Sequence, residues 1–286
     1  MMTAGGEASA LALVAAVVWG TSDFCGGIVT RRTTPAVVLM IAHGLGLLAL
    51  LMVHPSGLPT RHTVIFGLIA GLAGGVGLLA LYKGLSLGSM GLVAALSGVL
   101  SAAVPVLVSF FTESRPSALK LAGFAVAVVA IWLIAYTPGN EVHPHGLGMA
   151  VLAGTCFGFL LLFLHVAGRD SALWALTFSR VGSVSCAITL GIFTAGRLRQ
   201  KPEDAGRVRW RAIFPLAAAA GLLDTAGNLL YTVSSLVGRL DVAAVLSSLY
   251  PAGTILWAVF LLRERPTRSQ AVGMTLALVA VAMISA

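Results

Sequence analysis

Residues 82–135 read YKGLSLGSMGLVAALSGVLSAAVPVLVSFFTESRPSALKLAGFAVAVVAIWLIA, and residues 231–285 read YTVSSLVGRLDVAAVLSSLYPAGTILWAVFLLRERPTRSQAVGMTLALVAVAMIS. Both stretches begin with a tyrosine, continue into Val-Ala-Ala, and reach a Glu-Arg-Pro motif that one extra residue interrupts in the first copy. A matching glycine follows in each copy, Gly123 and Gly273. The alternative is chance similarity between helices rich in Ala, Val, Leu and Gly, and the shared Tyr, Glu, Arg and Pro argue against it. We therefore interpret the chain as an internal repeat.

The apolar runs around these stretches indicate five membrane spans in each half. An odd number of spans places the second half upside down relative to the first. We predict two inverted five-helix domains, at residues 1–140 and 146–286. Inverted repeats are typical of secondary transporters, in which the binding site lies near the bilayer midplane between the repeats.

Composition supports a polytopic membrane protein of the all-α class. Hydrophobic residues make up 58% of the 286 residues, charged residues make up 10%, and the mean hydropathy is +0.98. Soluble domains carry roughly 25% charged residues. Apolar runs of about 20 residues match the hydrocarbon thickness, and in lipid such runs must be helical to satisfy their backbone. We predict ten spans, at residues 9–29, 35–53, 63–82, 92–111, 117–136, 146–166, 171–194, 211–231, 241–262 and 268–286.

Several other classes of protein are disfavoured. The net charge of +8 resides in short gaps between apolar runs and not in one stripe, so we expect no nucleic-acid partner. The three cysteines, Cys25, Cys156 and Cys186, lie inside apolar runs, which predicts neither a disulfide framework nor a zinc site. No nucleotide, metal or catalytic motif is present, so we expect no catalytic residue, no metal and no cofactor. The first ten residues lack Lys and Arg, which predicts a permanent first helix and no cleaved signal.

Two motifs resemble a known family. WGTSDFCGG (residues 19–27) is similar to the first-helix signature of EamA-type proteins of the drug/metabolite transporter superfamily. Residues 247–285 resemble the closing helix pair of the same domain, with an early proline, a Glu-Arg pair and then Gln and Gly. The resemblance implies ten helices, no cofactor and secondary transport, and many relatives export amino acids or other metabolites.

Two positions depart from the pattern of this family. Ser101-Ala102 stands where the second half has Tyr250-Pro251, and His43 stands where the second half has Arg180, an arginine often seen in this family.

Four ionisable residues lie deep inside predicted spans: Asp23, His43, Arg180 and Asp224. Each unpaired charge costs at least about 2.5–3.5 kcal/mol at mid-helix. We therefore predict that they line a polar cavity, the alternative being ion pairs that hold helices together.

Uncharged candidates adjoin these four residues. Asp224, Asn228 and Tyr231 are spaced i, i+4 and i+7, and so share one helix face. That face either lines the cavity or forms a polar seam. Tyr82 aligns with Tyr231, and Trp19 precedes Asp23 by one turn. The predicted substrate-binding residues are therefore Arg180, Asp224, Asn228, Tyr231, Trp19, Tyr82 and His43, and the predicted proton-coupling residues are Asp23 and Asp224.

The sequence thus predicts a secondary transporter in a cell membrane, of the bacterial plasma-membrane type. We expect it to export a small metabolite, such as an amino acid, by gradient-driven alternating access, with protons as the coupling ion. The alternative function is ligand binding or sensing in the membrane without net transport. The orientation of the termini stays open. Basic residues predominate in loops on the side opposite the termini, which places the termini outside, whereas the family resemblance suggests that they lie inside.

Overall fold

The structure is a computed structural model that describes residues 4–30, 32–53, 55–86, 90–135, 144–198, 210–262 and 267–285. These residues form eleven α-helices and contain no strand. The helices are α1 (Ala4–Thr30), α2 (Pro35–Val53), α3 (Arg61–Ser86), α4 (Met90–Thr112), α5 (Ala118–Ala135), α6 (Pro144–Gly168), α7 (Ala172–Leu198), α8 (Trp210–Val237), α9 (Leu240–Ser247), α10 (Tyr250–Leu262) and α11 (Arg268–Ser285). The all-α class is confirmed.

Several helices meet the requirements for crossing a bilayer by length and hydropathy. Within the described residues, six stretches are long and apolar enough: Gly5–Thr30, Pro35–Val53, Arg61–Gly84, His145–Gly168, Ala172–Leu190 and Ile213–Val237. Shorter apolar stretches lie in α4, α5 and α11, at Leu96–Thr112, Ala118–Leu133 and Ala271–Ile284. Large apolar side chains such as Phe111 (90% exposed) and Met52 (87%) face outward. An exposed apolar surface of this kind fits the hydrocarbon core of a bilayer.

The ninth predicted span, residues 241–262, is not one helix. It is divided between α9 and α10 by a turn at Ser248 and Leu249. Pro251 has no backbone N–H, so it cannot donate to the carbonyl of Ser247 as a regular helix requires. The Leu249 N–H instead bonds to Leu246 O, three residues back, which tightens the chain at the break.

The helices pack mainly between the two halves of the chain. The most extensive contacts join α3 to α6 and α7, α1 to α8, α5 to α11, and α4 to α6. Contacts between consecutive helices of the first half, such as α1 with α2, are minor. Any central cavity is therefore bordered by helices from both halves.

Glycine allows the closest of these approaches. A Cβ on Gly71 of α3 would clash with the backbone carbonyl of Ser179 on α7, and a Cβ on Gly221 of α8 would clash with that of Ala42 on α2. Gly71 belongs to the series Gly67, Gly71 and Gly75, which has the small-xxx-small spacing of close helix pairs. These contacts position α7 and α2, which carry the polar residues of the core.

Candidate functional site

A cavity lies between the two halves, with about 600 Å³ of empty space including the part that lies open. Helices α1, α2, α3, α4, α6, α7 and α8 line it together with the first residue of α10. Six of the predicted site residues are among the lining: Trp19, Asp23, His43, Arg180, Asp224 and Asn228. The structure thus brings together side chains that are as much as 209 residues apart in the chain.

Arg180 and Asp224 form an ion pair in this lining. The Arg180 Nη1 atom lies 2.6 Å from the Asp224 Oδ2 atom. The arginine side chain is almost fully buried, at 3% exposure, whereas the aspartate side chain retains 22%. Arg180 is placed at this depth because α7 packs directly on the glycine face of α3. A buried guanidinium needs a counter-charge, and Asp224 provides it.

His43 contacts both members of the ion pair. Its Nε2 atom lies 3.0 Å from Arg180 Nη1 and 3.4 Å from Asp224 Oδ2. Its Nδ1 atom lies 2.6 Å from the hydroxyl oxygen of Ser183, and that hydroxyl is 3.1 Å from the Arg180 carbonyl. The ring is therefore held from both sides, and one polar network joins α2, α7 and α8.

The network leaves hydrogen-bonding capacity unused. The Asn228 side-chain N–H donates to Asp224 Oδ2 at 3.1 Å, while the Asn228 Oδ1 atom has no hydrogen-bond partner among the described residues. The Nε and Nη2 atoms of Arg180 are likewise without a partner there. These two nitrogens form the side-on fork of the guanidinium, which matches the two oxygens of a carboxylate. Buried donors and acceptors of this kind are costly unless a ligand or water satisfies them.

Asp23 is the second carboxylate of the cavity. Its side chain is half-buried, and none of the hydrogen bonds and ion pairs among the described residues involves it. Tyr250, at the start of α10, lines the same cavity, and its hydroxyl lies 3.1 Å from the Ser97 hydroxyl. The cavity therefore contains one neutralised carboxylate, Asp224, and one without a counter-charge, Asp23.

The two predicted tyrosines lie behind the cavity wall and are not part of its lining. Tyr231 is fully buried, donates its hydroxyl hydrogen to Leu161 O at 3.2 Å, and packs its ring 5.9 Å from that of Trp19. Tyr82 is 2% exposed, and its hydroxyl fills the space beside Gly26 of α1. Both rings thus pack against α1, the helix that carries Trp19 and Asp23 of the lining. Their direct contact with a substrate stays a prediction.

Ser183 and Phe157 are among the lining residues that the sequence did not predict. Ser183 follows Arg180 by one turn and therefore shares its helix face, so spacing alone would have identified it. The opening helices of the two halves can also be aligned, Trp19-Gly20 of α1 with Phe157-Gly158 of α6, and both aromatic residues line the cavity.

Comparisons with known proteins agree with this fold. A crystal structure described only as that of a protein matches with a TM-score of 0.69 and 17% sequence identity, covering 97% of both chains. At that identity the match shows the fold alone. No curated protein matches the sequence. The model of the EamA-like transporter family matches residues 7–136 and again residues 144–286. The chain therefore belongs to the EamA-like transporter family, in keeping with the drug/metabolite transporter superfamily, and is a multi-pass membrane protein.

Proposed function

We propose that the protein is a secondary transporter of small molecules that carry an anionic group, and that Arg180 binds that group. The observation that supports this most directly is that Arg180, a residue of the cavity lining, has a buried Nε and Nη2 fork with no hydrogen-bond partner among the described residues. A carboxylate that binds the fork satisfies two buried donors at once. Asp224 occupies only Nη1 in this structure, so its ion pair with the arginine does not use the two nitrogens of the fork.

The rest of the lining indicates what accompanies the carboxylate. The Asn228 Oδ1 atom offers an acceptor, and the Asp23 carboxylate offers a negative charge, so both suit an ammonium or another N–H donor. Trp19, Phe157 and Tyr250 supply an aromatic wall. A small zwitterion with an apolar side chain, such as an amino acid, satisfies all three features.

The helix packing supports a repeat with two-fold symmetry, and an odd number of spans in each half makes that repeat inverted. In such a repeat α1 corresponds to α6, α2 to α7, α3 to α8, and α5 to α11. Exchanging the halves then turns the α3–α6 contact into the α8–α1 contact, and the α3–α7 contact into the α8–α2 contact. The α2–α7 and α5–α11 contacts each map onto themselves. All of these contacts are present, as two domains at residues 1–140 and 146–286 related by a two-fold axis require. Rocking of such halves around the cavity is the general mode of alternating access.

The energy source in this proposal is an ion gradient. Asp23, which forms no ion pair with any described residue, is the candidate for binding the coupling proton, and Asp224 is the second candidate. The family resemblance favours export across a plasma membrane.

The test begins with a ligand-stabilisation screen of the purified protein in nanodiscs, using amino acids and other small carboxylates. A ligand that binds the native state raises the melting temperature. Each stabilising compound is then loaded into proteoliposomes, and counterflow of labelled against unlabelled compound is measured. Stabilisation together with counterflow is the expected result.

Two results would contradict the proposal. Binding without counterflow indicates a sensing protein, which is the alternative function. Stabilisation by cationic compounds only, with no effect of carboxylates, removes Arg180 from the binding role. Arg169→Lys is a suitable control throughout, because Arg169 is outside the cavity lining.

A further inference from the structure

We propose that His43 controls Arg180: binding of a proton to its Nε2 atom transfers Asp224 from the arginine to the imidazolium and so releases Arg180 for an anionic substrate. This inference rests on the proposed function and adds a second titratable group to it. The geometry that carries it is the close triangle formed by Nε2 of His43, Nη1 of Arg180 and Oδ2 of Asp224.

The hydrogen bonds assign the tautomer of His43. A serine hydroxyl has one hydrogen, and that of Ser183 is directed at the Arg180 carbonyl, 3.1 Å away. The Ser183 oxygen must therefore accept from His43 Nδ1, 2.6 Å away, which places the ring hydrogen on Nδ1. In the neutral ring Nε2 then carries no hydrogen, and it accepts a hydrogen bond from Arg180 Nη1 at 3.0 Å.

A proton on Nε2 reverses this role. The imidazolium can no longer accept from Arg180, and it repels the guanidinium. Asp224 Oδ2, only 3.4 Å from Nε2, becomes its acceptor and counter-ion. Two cations then compete for one carboxylate, and Arg180 loses both contacts of its Nη1 atom. A substrate carboxylate is the replacement partner, since its charge satisfies the released guanidinium.

The charged groups that face His43 come from α7 and α8. Arg180 and Ser183 contact it from α7, and Asp224 contacts it from α8. From α1, Asp23 lines the same cavity. No hydrogen bond or ion pair within the described ranges joins His43 to α3. Histidine is the side chain whose charge changes most readily near neutral pH, so the triangle is suited to a proton-driven exchange of partners.

The chain contains a matched control in His165. Its Nδ1 atom lies 3.1 Å from the Ser235 hydroxyl oxygen, and that hydroxyl bonds to a carbonyl three residues back, as that of Ser183 does. Its Nε2 atom lies 3.3 Å from Arg169 Nη2. The described residues give His165 no ion pair with a carboxylate, so the same imidazole–serine arrangement occurs there without the competition for Asp224.

The experiment measures side-chain nitrogen NMR of the full-length protein in nanodiscs, without substrate, between about pH 5 and 8. The His43 signals are assigned with His43→Gln, whose amide oxygen offers an acceptor near the Nε2 position and cannot take up a proton at these pH values. Those of Arg180 are assigned with Arg180→Lys. At high pH we expect the ring hydrogen of His43 on Nδ1 and none on Nε2. As the pH falls and Nε2 gains a proton, the His43 and Arg180 signals should shift together. His165→Gln should leave both shifts unchanged.

Three results would overturn the inference: a neutral ring with its hydrogen on Nε2, a ring that does not titrate in this range, or a titration without response from Arg180. If His43→Gln does not fold, Ser183→Ala assigns the ring instead, because it removes the acceptor for Nδ1–H. The NMR titration needs no ligand, so it can contradict the role of His43 even when the transport assay confirms transport. It can also succeed when the stabilisation screen finds no carboxylate, which would contradict the proposed substrate class alone.

Discussion

Arg239 contacts both carboxylate oxygens of Asp241, with Nη2 2.7 Å from Oδ2 and Nε 3.0 Å from Oδ1. Asp241 has no exposed side-chain surface, and Arg239 retains 24%. The third nitrogen, Nη1, donates to the Ser114 hydroxyl after α4, while Glu113 accepts from the backbone N–H of Leu240. This pair fastens the turn between α8 and α9 to the end of α4, and thus joins the two halves at one end of the bundle.

Asp241→Asn should lower stability, because it leaves a partly buried guanidinium with a weaker partner. Charge-assisted hydrogen bonds contribute about 1.5–3 kcal/mol, and we expect a loss in that range. Thermal unfolding in one detergent measures it. Asp170→Asn is the control, since that carboxylate is 40% exposed and should matter less. An equal or smaller effect of Asp241→Asn would contradict this account.

Gly71→Ala should be more disruptive than its small size suggests. The added methyl group meets the Ser179 carbonyl on α7, so the two backbones must separate. Overpacking of this kind costs about 1–3 kcal/mol. Gly44→Ala on α2 is the matched control because nothing lies within 4 Å of its added Cβ, and it should be neutral or slightly stabilising. Melting temperatures that fall equally in both variants would show that close helix contact is not the cause.

Arg180→Lys keeps the charge and removes the planar fork. We expect the dissociation constant of a carboxylate ligand from the screen to rise roughly tenfold or more, as the loss of one charge-assisted hydrogen bond implies. Titration calorimetry measures this effect, with Arg169→Lys as control. An unchanged affinity would remove Arg180 from the binding site. If the variant is merely unstable, its melting temperature without ligand will show it, and the ion pair with Asp224 is then structural.

Asp23→Asn should separate exchange from gradient-driven transport. Counterflow needs no net proton movement, so it should persist, while accumulation driven by a pH gradient should fall to the level of empty liposomes. Asp224→Asn is the comparison. It leaves Arg180 without its counter-ion and should also lower the melting temperature. Accumulation that survives in Asp23→Asn but not in a stable Asp224→Asn protein would assign proton coupling to Asp224.

Asp170, in the turn between α6 and α7, gives a prediction about acid stability. Hydrogen bonds from the hydroxyls of Thr60 and Thr63, with a smaller contribution from His62, hold the pKa of this carboxyl below its ordinary value. A lowered folded-state pKa stabilises the protein at neutral pH, and this stabilisation is lost as the pH falls through that lowered pKa. Thr60→Val should therefore shift the Asp170 titration to higher pH in carbon-detected NMR. Thr275→Val, at an exposed hydroxyl bonded within its own helix, should not.

The sequence predicted which ionisable residues line the cavity better than it predicted how they pair. Ionisable residues inside apolar spans are costly, so Asp23, His43, Arg180 and Asp224 could be identified one by one, and all four line the cavity. Their pairing could not be predicted, because His43 and Arg180 meet across 137 residues of chain only after α2 and α7 have docked. Periodicity placed Tyr231 on the face of Asp224, but it cannot show how far that ring extends past the cavity wall.

The break before α10 was not predicted, because apolar content alone predicts one continuous span at residues 241–262; Pro251 is the residue that could have indicated it. Hydropathy records how apolar a segment is and not whether its backbone hydrogen bonds continue. The distinction matters most at the depth of the cavity, where Tyr250 begins the new helix.

That break also bears on how the nascent chain enters the membrane. At 1.5 Å per residue, the eight residues of α9 extend about 12 Å and the thirteen of α10 about 20 Å, each less than the roughly 30 Å of the hydrocarbon layer. Neither helix is a self-sufficient insertion unit. All of α9 is buried, and its principal neighbours are α1, α4 and α8. The principal surfaces that bury α9 therefore belong to segments that are synthesised before it.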